Sequence, residues 1–249
     1  MKNILREMIE NKSTLFMLFL FLLLSVVTTI NADDEVEEIE SVTIIGSIDD
    51  LKNLAGSGAI ISNEDLEISM DTDIQKILTA VPGVYMRTEE GYGLRPNISI
   101  RGTAIERSGK VTIMEDGVLV APSPYTSSAA YYFPTTGRIH SVEVLKGPAA
   151  VSQGPQTIGG AINLISTPIP EANSGKFIQE LGENGMARTH AFYGINSANF
   201  GALVEVHEHS SDGFDSIANV GGDTGFDKSD LMIKAQYNLS LIHISEPTR

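Results

Sequence analysis

"SVEVLKGPAAVSQGPQTIGGAINLIS", residues 141–166, sets two β-prone ends around a middle of Gly, Pro and Gln that holds one lysine, Lys146. A lysine among glycines first suggests a phosphate loop. That loop needs a Gly-x-x-x-x-Gly-Lys-Ser/Thr order, with backbone amides wrapped around the phosphates and the lysine opening a helix. Here Lys146 precedes Gly147-Pro148, and Gly159-Gly160 runs into Ala161, Ile162, Asn163, Leu164 and Ile165, which reads as strand. Nucleotide binding is set aside. The remaining reading is geometric: Gly147, Gly154, Gly159 and Gly160 let the chain turn or pack where a Cβ would clash, so two strands are joined by a tight loop.

Outward from this loop, residues 60–167 have the grammar of a mixed α/β unit. Ser62 with Asp65 three residues on is a carboxylate variant of the capping box and predicts a short helix. The run Asp71-Thr72-Asp73 caps a second helix, in which Ile74, Ile77, Leu78 and Val81 share a core-facing side and Pro82-Gly83 ends it. Strands are predicted at residues 98–100, at 111–114 and 118–120 around an Asp116-Gly117 turn, at 142–145 and at 161–165.

After Pro170 the pattern becomes longer alternation. Leu231, Ile233, Ala235, Tyr237 and Leu239 make an apolar face, whereas Asp230, Met232, Lys234, Gln236 and Asn238 make a mostly polar one. Ala202, Val204 and Val206 alternate with Leu203, Glu205, His207 and His209, and residues 186–196 form a weaker strand with Arg188 and His190 on one side. Such strands fit an outer-membrane barrel, lipid outside and water inside, and also a soluble sandwich. Glu205, His207 and His209 look like metal ligands, yet side chains two apart on a strand point in parallel and need a third direction to close a coordination sphere; a wet wall explains them as well, and no metal site is assigned.

The N-terminus narrows the choice. Lys2, Arg6 and Lys12 lead into an apolar run over residues 15–27, then Thr28, Thr29, Ile30, Asn31 and Ala32, a signal peptide over 1–32, with an uncleaved anchor as its alternative. No later apolar run is long enough for a membrane helix, so the mature chain would enter a membrane as strands. Cysteine is absent, which excludes a disulfide framework, a zinc-thiolate site and a cysteine nucleophile. A net charge of −15 is the wrong sign for a nucleic-acid backbone. No Ser/His/Asp set or carboxylate pair emerges, so the chain does not read as an enzyme. Residues 33–40, "DDEVEEIE", form an acidic tether ahead of the short β-prone string Val42, Thr43, Ile44, Ile45, which suits strand addition to another protein's sheet.

Taken in order, "ESVTIIG" (40–46), "DIQKILTAVPGVYM", "GYGLRPNISIRG", "TIMEDGV" and the opening stretch resemble the TonB box and plug signatures of TonB-dependent outer-membrane receptors of Gram-negative bacteria. "GYGLRPNISIRG" followed by "APSPY" and "AAYYFPTTGR" is most similar to the ferric dicitrate receptors. The resemblance implies a signal peptide (1–32), a tether with the TonB box (33–50, box 40–46), an α+β plug domain of mixed sheet and short helices (51–168), and the first antiparallel strands (169–240) of a truncated 22-stranded transmembrane β-barrel. There is no room for a signalling domain ahead of the box. The last residues, 241–249, break the alternation and resemble a translated adapter.

Import of a ferric chelate, ferric citrate first, is the implied activity, with ferric iron as cargo and no covalently bound cofactor. The implied partners are TonB with its inner-membrane energising complex, the chelate and outer-membrane lipid. The alternatives are receptors for haem, cobalamin or oligosaccharide, and a periplasmic binding module or adhesin. A compact anion calls for guanidinium forks and hydroxyls, which Arg95, Arg107, Ser123, Tyr125 and Thr126 offer on plug loops. Ser41, Val42, Thr43, Ile44, Ile45 and Gly46 would bind TonB. Arg101, Glu115, Lys146 and Gly147 would serve structural contacts between plug and barrel.

Overall fold

A computed structural model of the chain describes residues 43–45, 49–54, 56–69, 71, 73–89, 93–120, 132–197, 199–214, 216–217 and 222–237. The signal-peptide and tether expectations, Ser41, Val42, Gly46, Ser123, Tyr125, Thr126 and the 241–249 tail lie outside these residues.

Two sheets organise the chain. The first has five strands in the order β1 (Ser57–Ile61), β6 (Ile139–Lys146), β7 (Gly160–Ser166), β4 (Val111–Glu115) and β5 (Val118–Leu119). The quoted stretch supplies two of its middle strands: β6 and β7 pair antiparallel, with Val144 opposite Ile162 and Glu143 opposite Asn163. β7 then pairs parallel with β4, and β5 folds back on β4 through the Asp116-Gly117 turn. Gly147 sits at φ 82, with the Arg101 guanidinium packed on it, so the loop needs glycine on conformational grounds.

Alternation splits the sheet's apolar side chains between two faces. On the first, Ile113, Val142, Val144, Ile162 and Leu164 pack with helix α2 (Ile74–Thr79) and the β2 (Val84–Arg87)/β3 (Asn97–Ile100) hairpin into the larger core cluster. At about 1.5–3 kcal/mol per fully buried aliphatic side chain, this face supplies most of the domain's cohesion. Met114, Leu145 and Ala161 on the second face meet Ile45, Leu51, Leu54 and Ala150. Helix α1 (Asn63–Ser69) begins with the predicted reciprocal cap: the Ser62 amide donates to Asp65 Oδ2 at 3.0 Å, and the Asp65 amide to Ser62 Oγ at 3.2 Å. Asp73 is the residue that caps α2, accepting from the Gln75 amide.

The second sheet is an antiparallel meander in the order β13 (Phe226–Tyr237), β10 (Phe200–Ser211), β9 (Ala187–Ser197), β8 (Ser174–Leu181). A minor hairpin, β11 (Ser216–Ile217) with β12 (Gly222–Asp223), lies in the β10–β13 connection. The strand lengths and the dyad pattern are those of a barrel beginning.

Several elements depart from the sequence reading. β1 and β2 occupy stretches read as loose or unassigned, since Gly58 and Gly83 dilute the local strand signal. Residues 44–45 form a bend against the first sheet, not an isolated strand. Burial of Ile45 in the second-face cluster decides their path.

Candidate functional site

Three places concentrate the polar chemistry. The first is a knot beneath the exposed Arg95 and Arg107. Arg107 and Ser108 both take left-handed backbone, φ 50 and 54, which costs energy for residues with a Cβ. The cost is met locally. The Arg107 amide donates to Asn97 Oδ1 at 2.7 Å, Ser108 Oγ donates to the Pro96 carbonyl at 3.1 Å, and the Ile98 amide donates to Ser108 Oγ at 3.0 Å. These bonds tie the segment bearing Arg107 to the one bearing Arg95, so the two arginines project from one rigid base.

The second place is the seam between the two sheets. Arg138, 2% exposed, forms ion pairs with Glu115 at 2.5 Å and with Asp230 of β13 at 2.9 Å. Burial opposes its charge, but hydrogen bonds and charge from Glu115 and Asp230 outweigh it and hold the guanidinium above its ordinary range. Lys234 reaches from β13 to Asp116 at 3.2 Å and to the Thr167 carbonyl at 2.8 Å. Glu205 accepts from Thr167 Oγ1 at 2.5 Å and pairs with His190 at 2.8 Å. His207 lies against Gly137, where a Cβ would stand 2.1 Å from Nε2. Glu205 and His207 are each 1% exposed, so this part of the wall is packed against the first sheet and its connections. Among the described residues no group of three or more His, Cys, Asp or Glu side chains is placed to hold a metal.

Of the four residues expected at plug–barrel contacts, Glu115 lies in this seam through Arg138. Arg101 donates to Ser57 Oγ at 3.0 Å, with Gly147 packed on its guanidinium. Lys146 donates to the Pro82 carbonyl at 2.9 Å, just past α2. Burial, with the Arg101 charge beside it, draws the Lys146 ammonium below the usual lysine range. The partners of both cations named here therefore lie within the first domain.

The third place is the N-terminal string. Thr43 is exposed, Ile44 half-buried and Ile45 buried, and the amides of Ile44 and Ile45 donate to the two oxygens of Glu143 at 2.8 and 3.0 Å. Sequence reasoning missed Glu143, Asn163, Arg138, Asp230 and Lys234. Glu143 carried a signal, since it is a charge inside the apolar run of a middle strand. Arg138 and Asp230 carried none, because they meet across 92 positions of sequence.

Comparison with known proteins agrees with this layout. A family model described as the TonB-dependent receptor plug domain matches residues 50–161. A vitamin B12 transporter of Photobacterium profundum is 25% identical over 213 residues, covering 78% of this chain and 34% of that protein. An iron-regulated outer membrane virulence protein of Vibrio cholerae is 32% identical over 144 residues, covering 56% of this chain and 21% of its own. The chain thus spans about a third or less of the length of these relatives. Among solved structures, the unliganded ferric citrate transporter FecA superposes with a TM-score of 0.63 at 22% identity, over 78% of this chain and 30% of that one. The siderophore receptor PirA of Acinetobacter baumannii gives 0.55 at 20% identity, over 77% and 30%. These likenesses fix the fold.

Proposed function

Residues 50–161 are a TonB-dependent receptor plug domain, followed by the first antiparallel strands of its barrel, and from that premise we propose that the chain serves TonB-dependent import of a compact ferric chelate, ferric citrate first, across the outer membrane of a Gram-negative bacterium. The observation that carries the substrate class is the knot under Arg95 and Arg107. The bonds from Asn97 and Ser108 fix the backbone that carries two exposed guanidinium groups, so little main chain is left to order when a carboxylate-rich anion binds. Ser123, Tyr125 and Thr126 complete the set as hydroxyl donors. Iron travels as cargo within the chelate, and the reading involves no covalent chemistry.

Residues 40–46 serve as the TonB-binding strand, and the inner-membrane complex behind TonB supplies the energy. The outward apolar side chains of β10 and β13 meet lipid. Residues 1–32 are the export signal.

The test is uptake of labelled ferric citrate by cells that lack their own citrate receptor and carry the receptor with its complete barrel. Uptake should require TonB, and Arg107→Ala should weaken chelate binding by roughly 10- to 100-fold, the range for a hydrogen bond to a charged group. Unchanged affinity would remove the arginine knot from the ligand site. A corrinoid is the second reading, favoured by the 25% identity to a vitamin B12 transporter. Its amide-rich periphery has little use for guanidinium forks, so TonB-dependent cobalamin uptake indifferent to Arg107→Ala would select it.

A further inference from the structure

Glu143 stands between Val142 and Val144 of β6, 2% exposed, on the second face of the five-stranded sheet. A carboxylate in such a place needs donors. It has the Ile44 amide at 2.8 Å, the Ile45 amide at 3.0 Å and the Asn163 side-chain amide at 2.9 Å. Asn163 is held in turn by the Gly117 amide, which donates to its Oδ1 at 2.9 Å, and this fixes which side of Asn163 faces the carboxylate. Ile45 closes the arrangement by burying its side chain with Leu145 and Ala161. Gly58 leaves the room for this, since a Cβ there would stand 3.2 Å from Ile45 Cδ1 and 2.7 Å from Leu51 Cδ2.

The geometry of the two amides carries the inference. In an extended strand, successive residues direct their amides to opposite edges, so one carboxylate cannot accept from both. It does so here because residues 44–45 bend. Strand addition to a partner needs the extended form and, at the paired edge, one of these two amides. The docked state and the partner-bound state are therefore mutually exclusive, and both draw on the Ile44 and Ile45 backbone.

We propose that Glu143 is a clasp that keeps residues 44–45 bent against the plug and must let go before they pair with a TonB strand. The clasp suits reversible use. When the segment departs, the Asn163 side-chain amide still donates to the carboxylate, so its charge is not left without a donor. Glu143 is a positioning residue here, acting through the backbone of the segment it holds.

The inference rests on the reading of residues 40–46 as the TonB-binding strand, and the experiment separates the two. These 249 residues contain no cysteine, so Thr43→Cys, in a receptor with its complete barrel and any barrel cysteine replaced by serine, gives one spin-labelling site at an exposed position. With Glu143 present and no chelate added, the label should be slow. Glu143→Ala should release it, shifting the docked-to-free ratio by about tenfold or more, the scale of losing a charge-assisted hydrogen bond. Glu143→Gln, the same shape without the charge, should fall between them, and it decides the matter if the alanine variant does not reach the outer membrane. Equal label mobility in receptors with Glu, Gln and Ala at 143 overturns the clasp. In the second arm the same cysteine is crosslinked to the periplasmic domain of TonB without chelate, and Glu143→Ala should raise the yield by a similar factor. Released label with no crosslink leaves the clasp standing and overturns the partner assignment.

Discussion

The two sheets of this chain use the same two-residue alternation and send it to opposite environments. In the five-stranded sheet both faces are covered, and Ile113, Val144, Ile162 and Leu145 are all at most 1% exposed. In the four-stranded sheet the apolar side chains look outward: Leu231, Ile233 and Tyr237 are 59%, 66% and 64% exposed, while Leu203, Glu205 and His207 face inward and are buried. Alternation in a sequence therefore reports that a strand has two unlike sides, and leaves open which side is the core. In this molecule the answer comes from the seam. Asp230 paired with Arg138, Lys234 with Asp116, and Glu205 bonded to Thr167 turn the polar side of the second sheet toward the first, by giving it charged and hydrogen-bonding partners there.

The contrast can be broken most sharply at that seam. Arg138→Ala would leave Glu115 and Asp230 facing each other without their cation, and a loss of roughly 3–5 kcal/mol is expected. The check is the melting midpoint of the detergent-solubilised receptor; a loss under about 1 kcal/mol would show that the sheets are joined by something else. Next comes Ile162→Ala at the centre of the first sheet, expected to cost about 2–5 kcal/mol through the cavity it opens, with chelate binding retained in the surviving fold. Ile233→Lys should cost about 2–4 kcal/mol if that outward face meets the bilayer midplane, and close to nothing if it meets water, which makes it the direct test of the lipid assignment. The smallest effect belongs to α1, which bridges the sheets through the Glu67–Lys176 ion pair but buries no residue of its own. Ser62→Ala should remove only its cap, about 1 kcal/mol, read from the same melting curves.

Much of this was legible in the residues, for reasons that are local. Ser62 with Asp65, and Asp73 ahead of Ile74, Ile77 and Leu78, announce helices through capping chemistry that acts over a few positions. The Asp116-Gly117 turn and the alternation of residues 231–237 work over a similar span. What stayed hidden depends on distant partners. β1 is a strand because β6 offers it an edge, although Gly56 and Gly58 make its own sequence look loose. The His207 ring is buried because Gly137, seventy positions earlier in the chain, leaves room for it. The β-prone string at 42–45 was recognisable, yet the contacts of Ile44 and Ile45 with Glu143 join residues about a hundred positions apart. For the ligand loops, the roles of Arg95 and Arg107 were suggested by residue type alone, and the hydrogen-bonded base beneath them became visible only in three dimensions.

The strand order β1-β6-β7-β4-β5 has a mechanical meaning. A tensile load entering at residue 43 and transmitted along the chain would strain the two Glu143 bonds first. Beyond them it reaches β1, the outermost strand, which is laddered to β6 alone. An edge strand can be stripped from one neighbour while the β6–β7–β4 interior keeps every rung. The domain is thus graded along its own polypeptide, weakest where a tug from the N-terminal side would arrive and toughest at the glycine-looped pair farthest along that line of force.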